Sequence, residues 1–188
     1  MKSILTLFVM FVFGCRLPAQ VSFIISSSPA VGNLVSSVAA ADVNGDGWVD
    51  LISANQNDNT LTVLTNDGSG GFVLASILNV TNEPNSVIAA DVNGDGKPDL
   101  IWDNLQYNTL SVLTNDGSGG FAPSGTYVVG NGPFQIVAAD VKGDGKVDLI
   151  CASEGANTLS VLTNNGSGGF VLAATCLLYT SPSPRDCS

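Results

Sequence analysis

Three nine-residue segments of this sequence, at 42–50, 91–99 and 140–148, combine aspartate, asparagine and glycine in one pattern (loops 1, 2 and 3). Aspartate occupies positions 1, 5 and 9, glycine positions 4 and 6, and asparagine position 3 of the first two loops. Because the glycines let the backbone curl, the oxygens of alternate side chains can converge on one point. An all-oxygen site with several carboxylates suits Ca²⁺ better than a transition metal, so the pattern predicts calcium loops.

Each loop offers the side chains of its aspartates and asparagine and, at position 7, a backbone carbonyl. Without a cation, carboxylates held a few ångströms apart would repel one another by about 1 kcal/mol or more per pair, which favours a bound ion over an ordinary Asp/Gly turn. The predicted ligand residues are Asp42, Asn44, Asp46, Trp48 and Asp50 in loop 1, Asp91, Asn93, Asp95, Lys97 and Asp99 in loop 2, and Asp140, Asp144, Lys146 and Asp148 in loop 3.

Loop 3 departs from the pattern, because Lys142 puts a cation at position 3, where a neutral oxygen ligand is expected. The side chain of Lys142 can swing outward and leave a weakened site, or its ammonium can partly substitute for the metal. We therefore expect Ca²⁺ as the cofactor, with two sites in loops 1 and 2 and a third site that Lys142 weakens.

Two other calcium modules use similar loops, the helix-loop-helix calcium hand and the dockerin module. Both expect an acidic ligand at position 12 and a helix after the loop. Here position 12 is Ser53, Trp102 or Cys151, and a strand-like apolar segment follows each loop. Both interpretations are therefore disfavoured.

The loops belong to a tandem repeat, because they recur with a period of 49 residues and no insertion. A second block, Asn-Thr-Leu-Thr/Ser-Val-Leu-Thr-Asn, keeps the same step at residues 59–66, 108–115 and 157–164. Each copy then closes with Gly-Ser-Gly-Gly-Phe. Self-similarity at such a period indicates a solenoid, a propeller or another repeat array.

Within one copy the pattern is β throughout. In repeat 2, one apolar segment precedes the loop (87–90) and another follows it (100–102), and both are predicted strands. A third segment, 110–114, alternates between apolar and polar residues as in a strand with one buried face, and residues 126–129 complete a fourth short strand. Four strands per repeat, separated by Gly, Asn and Asp turns, predict a propeller blade. A β-solenoid and a sandwich are the alternatives, although a sandwich would not repeat so closely. The predicted fold class is all-β: β-propeller blades, as three four-stranded repeats of an incomplete propeller.

The predicted divisions are a leading strand region at 20–37, repeat 1 at 38–86, repeat 2 at 87–135 and a truncated repeat 3 at 136–175. Propellers need at least about four blades, so three repeats should leave open blade edges, which invite association. No helical stripe occurs in these repeats.

The N-terminus is typical of a secretory signal peptide at 1–19, in which Lys2 precedes roughly ten apolar residues, too few to span a membrane. Cleavage is expected near Ala19. The alternative is a bacterial lipoprotein signal with a lipid anchor at Cys15, although the bulky Phe13 fits that pattern poorly. We therefore expect a bacterial protein that is secreted, extracellular or at the cell surface, without a transmembrane span.

Residues 176–188 share nothing with the repeats. The segment Cys-Leu-Leu-Tyr-Thr-Ser-Pro-Ser-Pro-Arg-Asp resembles one reading frame of a transposase-type sequencing adaptor, so we expect it to be non-native read-through. A genuine Ser/Pro-rich tail is the alternative. On the first interpretation the gene was cut near Thr175 and the natural protein continues. Cys151 is then the one native cysteine after the signal, so no disulfide framework can be inferred.

The chain of 188 residues carries 6 basic and 16 acidic residues and no histidine, for a net charge of −10. This balance argues against nucleic acid as a partner, because proteins that bind it need a basic footprint. The lack of histidine excludes Ser-His-Asp and Cys-His catalytic sites and His-ligated zinc. Nine of the acids are the aspartates of the three loops, so the predicted sites account for most of the acidity.

The loop, followed by Thr-Leu-Ser-Val-Leu-Thr-Asn and then Gly-Ser-Gly-Gly-Phe, resembles the FG-GAP/VCBS repeat over about residues 30–175. That family is best known from the seven-bladed propeller of integrin α subunits, and it abounds in secreted bacterial proteins. The resemblance implies a β-propeller with Ca²⁺ at the loop aspartates and asparagines, while Lys142 breaks the pattern. Gly-Ser-Gly-Gly-Phe stands, in variant form, where the family's Phe-Gly/Gly-Ala-Pro signature would lie.

Two functions are compatible with these observations. The first is an extracellular binding or adhesion module, in which a calcium-stiffened propeller presents loops to an unidentified protein or glycan. The second is the propeller portion of a secreted enzyme, such as a carbohydrate-active hydrolase or lyase, whose catalytic part is missing. Paired acids can cleave glycosides, but nearly every clustered acid here belongs to a loop, so we expect this fragment to bind rather than catalyse. Trp48 is a weak candidate for contact with a sugar, and Trp102 is expected in the core.

Overall fold

The computed structural model describes residues 28–80 and 83–177. The predicted signal peptide, with Cys15, lies outside the described residues, and of the predicted read-through segment only Cys176 and Leu177 are described, at the end of the last strand. Every regular element in the two described ranges is a strand. The strands are β1 (Val35–Ala41), β2 (Asp50–Asn55), β3 (Thr60–Asn66), β4 (Phe72–Asn79), β5 (Val87–Ala90), β6 (Asp99–Asn104), β7 (Thr109–Asn115), β8 (Phe121–Val128), β9 (Pro133–Ala139), β10 (Asp148–Ser153), β11 (Thr158–Asn164) and β12 (Phe170–Leu177).

These strands form three antiparallel sheets, blade 1 (β1–β4), blade 2 (β5–β8) and blade 3 (β9–β12), in each of which consecutive strands pair. The first strands of neighbouring blades contact one another, β1 with β5 and β5 with β9. The prediction of an all-β fold built from three four-stranded propeller blades that do not close is therefore confirmed. Within the described ranges there is no helix with the length and apolar character that a membrane span needs.

The fourth strand of blade 2 is longer than the sequence predicts. It begins at Phe121 instead of Thr126 and pairs with the whole of β7. It contains Pro123 and Gly125, which interrupt the alternating pattern, and its register against β7 shifts at the same place as those of β4 and β12 against their neighbours. Proline is tolerated in β8 because this strand lies at the edge of its sheet.

The strands in the centre of blade 2 are buried on both faces, not on one as their alternation predicts. In β7, Leu110 and Val112 face one way and Ser111 the other, yet all three are buried. The reason is that blade 2 is covered by blade 1 on one side and by blade 3 on the other.

The hydrophobic core accordingly lies between the blades. One cluster fills the boundary between blades 1 and 2, and a second fills the boundary between blades 2 and 3. The buried members of the first are Val43, Ile52, Ala54, Leu61, Val63, Val80, Val87, Leu100, Trp102 and Leu113. Those of the second are Val92, Ile101, Leu110, Val112, Val129, Ile136, Leu149, Cys151, Leu162 and Phe170.

Truncation of Leu110 to alanine is expected to lower the free energy of unfolding by about 2–5 kcal/mol, because the side chain is fully buried between blades and leaves a cavity. The matched control is Leu74→Ala on the outermost strand β4, where the leucine is half exposed and the loss should be much smaller. Urea denaturation measures both, and equal losses would contradict a core that lies between the blades.

Candidate functional site

The three loops lie at the same edge of the blade array, because each connects the first strand of its blade to the second. Loop 1 joins β1 to β2, loop 2 joins β5 to β6, and loop 3 joins β9 to β10. The aspartate at position 9 is the first residue of the second strand in every blade. The sheet therefore fixes one end of each loop.

The aspartate at position 1 closes its loop by accepting backbone N–H groups. Asp42 accepts from Gly45 at 2.8 Å and from Asp46 at 3.2 Å through one oxygen, and from Gly47 at 2.8 Å through the other. Gly45 and Gly47 have φ of +78° and +88°, the left-handed region that favours glycine. Asp91 and Asp140 make the equivalent three bonds in loops 2 and 3.

Positions 3 and 5 form the exposed tip of the loop. In loop 1 the Asn44 side-chain oxygen accepts the Asp46 N–H at 3.0 Å, and the Asn44 amide donates to the second Asp46 oxygen at 2.9 Å. The first Asp46 oxygen accepts the Trp48 N–H at 2.8 Å. Asn93 and Asp95 repeat the two bonds to backbone N–H groups in loop 2.

The aspartate at position 9 is fully buried and connects the loop to the third strand. Asp50 accepts the Val43 N–H at 3.0 Å and the Asn66 N–H at 2.9 Å, one with each carboxylate oxygen. Its repeat equivalents Asp99 and Asp148 make the same pair of bonds. Removal of the Asp99 carboxylate would leave two buried N–H groups without an acceptor, and removal of Asp50 or Asp148 would leave one buried and one part-buried.

The carboxylates of loop 2 act on one another electrostatically. Burial raises the pKa of Asp99, and the charges of Asp95 and Asp91 raise it further, while the N–H groups of Asn115 and Val92 lower it. A cation near these three carboxylates would relieve this repulsion.

The structure places each carboxylate against backbone N–H groups rather than in one tight cluster. In residues 28–80 and 83–177, no three acidic or cysteine side chains approach one another closely enough to form a metal site by themselves. Calcium takes six to eight oxygens, including carbonyl and water oxygens, so a site in these loops would also need the asparagine and the position 7 carbonyl. The ligand set proposed from the sequence remains a prediction.

Loop 3 contains its own cation. The Lys142 ammonium lies 2.9 Å from an Asp144 carboxylate oxygen and donates to the Asn164 carbonyl at 3.3 Å. The pKa of Lys142 is raised, first by the hydrogen bond to Asp144 and then by the charges of Asp144, Asp148 and Asp140. Lys142 therefore pairs with an aspartate of its own loop, and the positive charge lies beside the Asp144 carboxylate.

The side chains at position 7 pack against the glycine turn of their own blade. The Lys97 ammonium donates to the Asp116 carbonyl at 2.6 Å, and Lys146 makes the equivalent bond to the Asn165 carbonyl at 3.3 Å. The Trp48 ring lies so close to Gly68 that a Cβ on the glycine would approach it to 3.1 Å. The side chains at position 7 are therefore engaged outside the loop, and the carbonyl of this position remains a predicted ligand.

A contact between blades, which sequence reasoning missed, joins each loop to the next blade. The Asn115 side-chain amide donates to the Val43 carbonyl in loop 1 at 2.9 Å and to the Pro98 carbonyl of its own blade at 3.0 Å. Asn164 repeats this arrangement with the Val92 and Val147 carbonyls, at 2.7 and 2.8 Å. The sequence feature that could have revealed this contact is the asparagine that ends the third strand in all three copies, 16 residues after the aspartate at position 9.

The acids in the glycine turns have a local structural role. Asp67 accepts the Ser69 N–H, the Ser69 hydroxyl and the Gly71 N–H through one oxygen. Asp116 repeats the pattern in blade 2, and in both the pKa is lowered by these hydrogen bonds. The third copy uses the side chain of Asn165 in the same way.

One acid, Asp103, is buried between blades 2 and 3, where the other copies have Ala54 and Ala152. One of its oxygens accepts the N–H groups of Asn85 and Ser86 at 2.7 and 2.8 Å, and the other has no partner among the described residues. Burial raises the pKa of Asp103 to about 6. The nearby Cys151 thiol has its pKa raised to about 11, chiefly by burial and further by the charge of Asp103.

Repeated four-stranded meanders packed face to face, each with an Asp/Asn/Gly loop at one edge, define a β-propeller repeat protein. A family model for the FG-GAP-like repeat matches residues 42–102, and a model for the FG-GAP repeat matches residues 84–126. The chain therefore contains repeats of the FG-GAP family, as its resemblance implied.

Solved structures with similar folds include that of BBS1N in complex with ARL6DN, at 12% identity and a TM-score of 0.56, covering 78% of this chain and 45% of that one. Another is that of a lectin from Agrocybe aegerita that recognises non-reducing terminal N-acetylglucosamine, at 22% identity and a TM-score of 0.46, covering 75% of this chain and 37% of that one. The chain thus spans less than half the length of either structure. No curated protein matches it in sequence.

Replacement of Asp103 by asparagine is expected to change the pH dependence of stability. Because the folded-state pKa of about 6 lies above the ordinary value of 3.8 for an aspartate, the wild-type protein loses stability as pH rises through this interval, by about 3 kcal/mol in total. Asp103→Asn keeps an acceptor for the Asn85 and Ser86 N–H groups and removes the charge, so it should be the more stable protein above pH 6.

Thermal unfolding between pH 4 and pH 8 measures this effect. The control is Glu154→Gln, an exposed change that should keep the wild-type profile. If wild type and Asp103→Asn differ by the same amount at every pH, Asp103 does not titrate in the blade boundary.

Proposed function

We propose that this chain is part of a secreted, calcium-binding FG-GAP propeller that acts as an extracellular binding module for a protein or glycan. The observation that carries the proposal is the set of three repeated loops at one edge of the array, of which loops 1 and 2 have an all-oxygen donor set of aspartate, asparagine and backbone carbonyl. Such hard oxygen donors suit Ca²⁺. Bound calcium would stiffen the loop and, through position 9, the strands that follow it.

Calcium is assigned to loops 1 and 2 in this proposal, and the lysine ammonium takes its place in loop 3. The support is the ion pair of Lys142 with Asp144, together with the charges of Asp148 and Asp140 that raise the pKa of Lys142. Loops 1 and 2 carry Asn44 and Asn93 at that position, with a neutral oxygen in place of the ammonium.

The ligand is assigned to the groove that crosses the first strands of the three blades. This groove has a volume of about 430 Å³ and is lined by Ser37, Asn85, Ser86, Gln135 and the half-exposed Phe134, among others. Hydroxyl and amide groups beside an aromatic ring can recognise a sugar or an extended peptide. Asp58, Asp67 and Asp116 are engaged in hydrogen bonds of loops and turns and Asp103 is buried, which leaves Glu83 and Glu154 as the other described acids outside the loops and favours binding over catalysis in this part of the protein.

Secretion is part of the same proposal and depends on the signal-like sequence at 1–19, with Cys15 as the lipid anchor in the alternative form. A bacterial source is likewise proposed from the resemblance. An extracellular location would supply Ca²⁺ in the 10⁻⁴–10⁻³ M range in which extracellular modules bind it.

Calcium is expected to raise the melting temperature of the protein, because binding to the folded state alone stabilises it by about 2.7 kcal/mol when free Ca²⁺ is 100 times the dissociation constant. Differential scanning calorimetry with Ca²⁺ and with chelator measures this shift, and Mg²⁺ serves as the control cation. An identical melting temperature with Ca²⁺, with chelator and with Mg²⁺ would contradict the calcium assignment.

Lys142→Asn is expected to create a third calcium site, because it restores in loop 3 the asparagine found in loops 1 and 2. Isothermal titration should give two Ca²⁺ per chain for the wild type and three for the variant. The matched control is Lys146→Gln, which removes a lysine from the same loop without changing position 3. Three Ca²⁺ per chain in the wild type, or only two in the variant, would contradict the role given to Lys142.

A further inference from the structure

Blade 2 differs from its neighbours at the start of its first strand, on the wall of the groove. Strand β5 begins at Val87, whereas the first strands of blades 1 and 3 begin at the position equivalent to residue 84. Residues 84–86 therefore lie outside the β5–β6 ladder, although blades 1 and 3 pair the residues equivalent to 84 and 86. Because Asn85 and Ser86 line the groove, this departure shapes the wall to which the ligand is assigned.

The side chain of Asp103 accounts for the late start of β5. One of its carboxylate oxygens accepts the N–H groups of Asn85 and Ser86 at 2.7 and 2.8 Å, and the Asp103 N–H donates to the Ser86 carbonyl at 3.2 Å. Blades 1 and 3 have Ala54 and Ala152 at this position, and each alanine pairs with the residue equivalent to Ser86. An alanine side chain has no acceptor for these N–H groups, so those blades keep the regular pairing.

The displaced segment also contacts both neighbouring blades. From blade 1, the Ser36 hydroxyl donates to the Pro84 carbonyl at 3.1 Å. Towards blade 3, the Asn85 side-chain amide donates to the Phe134 carbonyl at 3.1 Å. Ser36, Asn85 and Phe134 all line the groove, so the position of residues 84–86 determines how groups from three blades are arranged along it.

The surroundings of Asp103 do not compensate a negative charge on its second oxygen. That oxygen is buried without a partner among the described residues, and burial raises the pKa of Asp103 to about 6. Strands β5, β7 and β9, which contact β6, carry no titratable side chain, and β10 contributes Cys151, a thiol that stays neutral because its pKa is raised to about 11. The other titratable residues of β6, β10 and the adjoining turns are not among the causes of the raised pKa; they are Asp99, Asp148, Glu83, Tyr107 and Glu154.

We propose that Asp103 is the positioning residue of the groove and makes the wall between blades 2 and 3 sensitive to pH. Protonated Asp103 keeps residues 84–86 in place, whereas loss of its proton to water favours an open state in which the carboxylate reaches solvent. The contact of Asn85 with Phe134 is broken in that open state. The proposal rests on the proposed function for the role of the groove: a ligand bound against the closed wall would be held more tightly in mildly acidic than in neutral solution.

The direction of the effect follows from the raised pKa. The pKa of Asp103 is about 6 in the closed wall, and the ordinary value of 3.8 applies once the carboxylate is in water. The stability of the closed wall is therefore complete below about pH 4 and is lost as the pH rises to about 6. Because each pKa unit changes the equilibrium tenfold, opening becomes roughly a hundredfold more favourable over this interval.

Amide hydrogen exchange followed by NMR between pH 4 and pH 7 measures this opening in the full chain. After correction for the base-catalysed intrinsic rate, the protection of the Asn85 and Ser86 amides should fall by roughly a hundredfold. The Val80 amide, which donates to the Asn59 carbonyl at 2.9 Å in blade 1, is the internal control and should keep its protection. Constant protection at Asn85 and Ser86, or an equal loss at Val80, overturns the proposal.

No ligand is added in this experiment, so the proposal and the proposed function fail separately. A groove that binds neither protein nor glycan would leave the pH dependence at Asn85 and Ser86 intact. Constant protection at these two amides would remove the role of Asp103 and leave the assignment of the ligand to the groove as it stands.

Two variants test whether Asp103 is the cause. Asp103→Asn keeps an acceptor for both N–H groups and removes the charge, so the wall should stay closed with protection that no longer depends on pH. Asp103→Ala supplies the residue of blades 1 and 3, so residues 84–86 should join the β5–β6 ladder and show strand-like chemical shifts. Glu154→Gln, an exposed change, is the matched control and should keep the wild-type profile.

Asp103→Asn decides the proposal even where Asp103→Ala does not fold, because it retains the hydrogen bonds of the wall. Protection in Asp103→Asn that stays high from pH 4 to pH 7 is the expected result. Protection that falls with pH in Asp103→Asn as it does in the wild type, or a folded Asp103→Ala with residues 84–86 unchanged, contradicts the positioning role.

Discussion

The packing of one blade against the next is the constraint on which the described structure depends. One hydrophobic cluster fills the boundary between blades 1 and 2 and a second fills the boundary between blades 2 and 3, so blade 2 packs against a neighbour on both faces. This constraint explains why the middle strands of blade 2 are buried on both faces, against the one-sided pattern that their alternation predicts. The free energy of unfolding therefore depends strongly on the contacts between neighbouring blades, as in other repeat proteins.

The polar residues at these boundaries connect the loops to the packing. Asp99 holds the start of loop 2 through the Val92 N–H, and its other oxygen accepts the Asn115 N–H. The side chain of Asn115 then reaches the Val43 carbonyl in loop 1. A cation bound in one loop, as proposed, would therefore act on residues that also hold the neighbouring blade, and would stabilise the contact between the two blades.

Much of this fold could be predicted because one repeat of 49 residues specifies the whole array. The order of four strands, the all-β class and the buried Trp102 follow from periodicity and residue type alone. The start of β8 could not be predicted, since Pro123 and Gly125 interrupt the alternation of apolar and polar residues. The contact of Asn115 with the neighbouring blade could not be predicted either. A sequence period shows which positions of the repeats are equivalent, but it does not show which of these positions contact the next blade. Asp103 stands out in sequence only as an acid where the other copies have alanine, and its burial depends on blade 3.

The central claim is that Ca²⁺ occupies loops 1 and 2 while Lys142 occupies loop 3. Amide resonances of Gly47, Gly96 and Gly145 report on the three loops separately, because each N–H donates to the aspartate at position 1 of its own loop. Heteronuclear NMR during a Ca²⁺ titration follows all three. The account predicts that Gly47 and Gly96 shift and saturate while Gly145 changes little. No saturable shift at Gly47 and Gly96, or an equal one at Gly145, would contradict it.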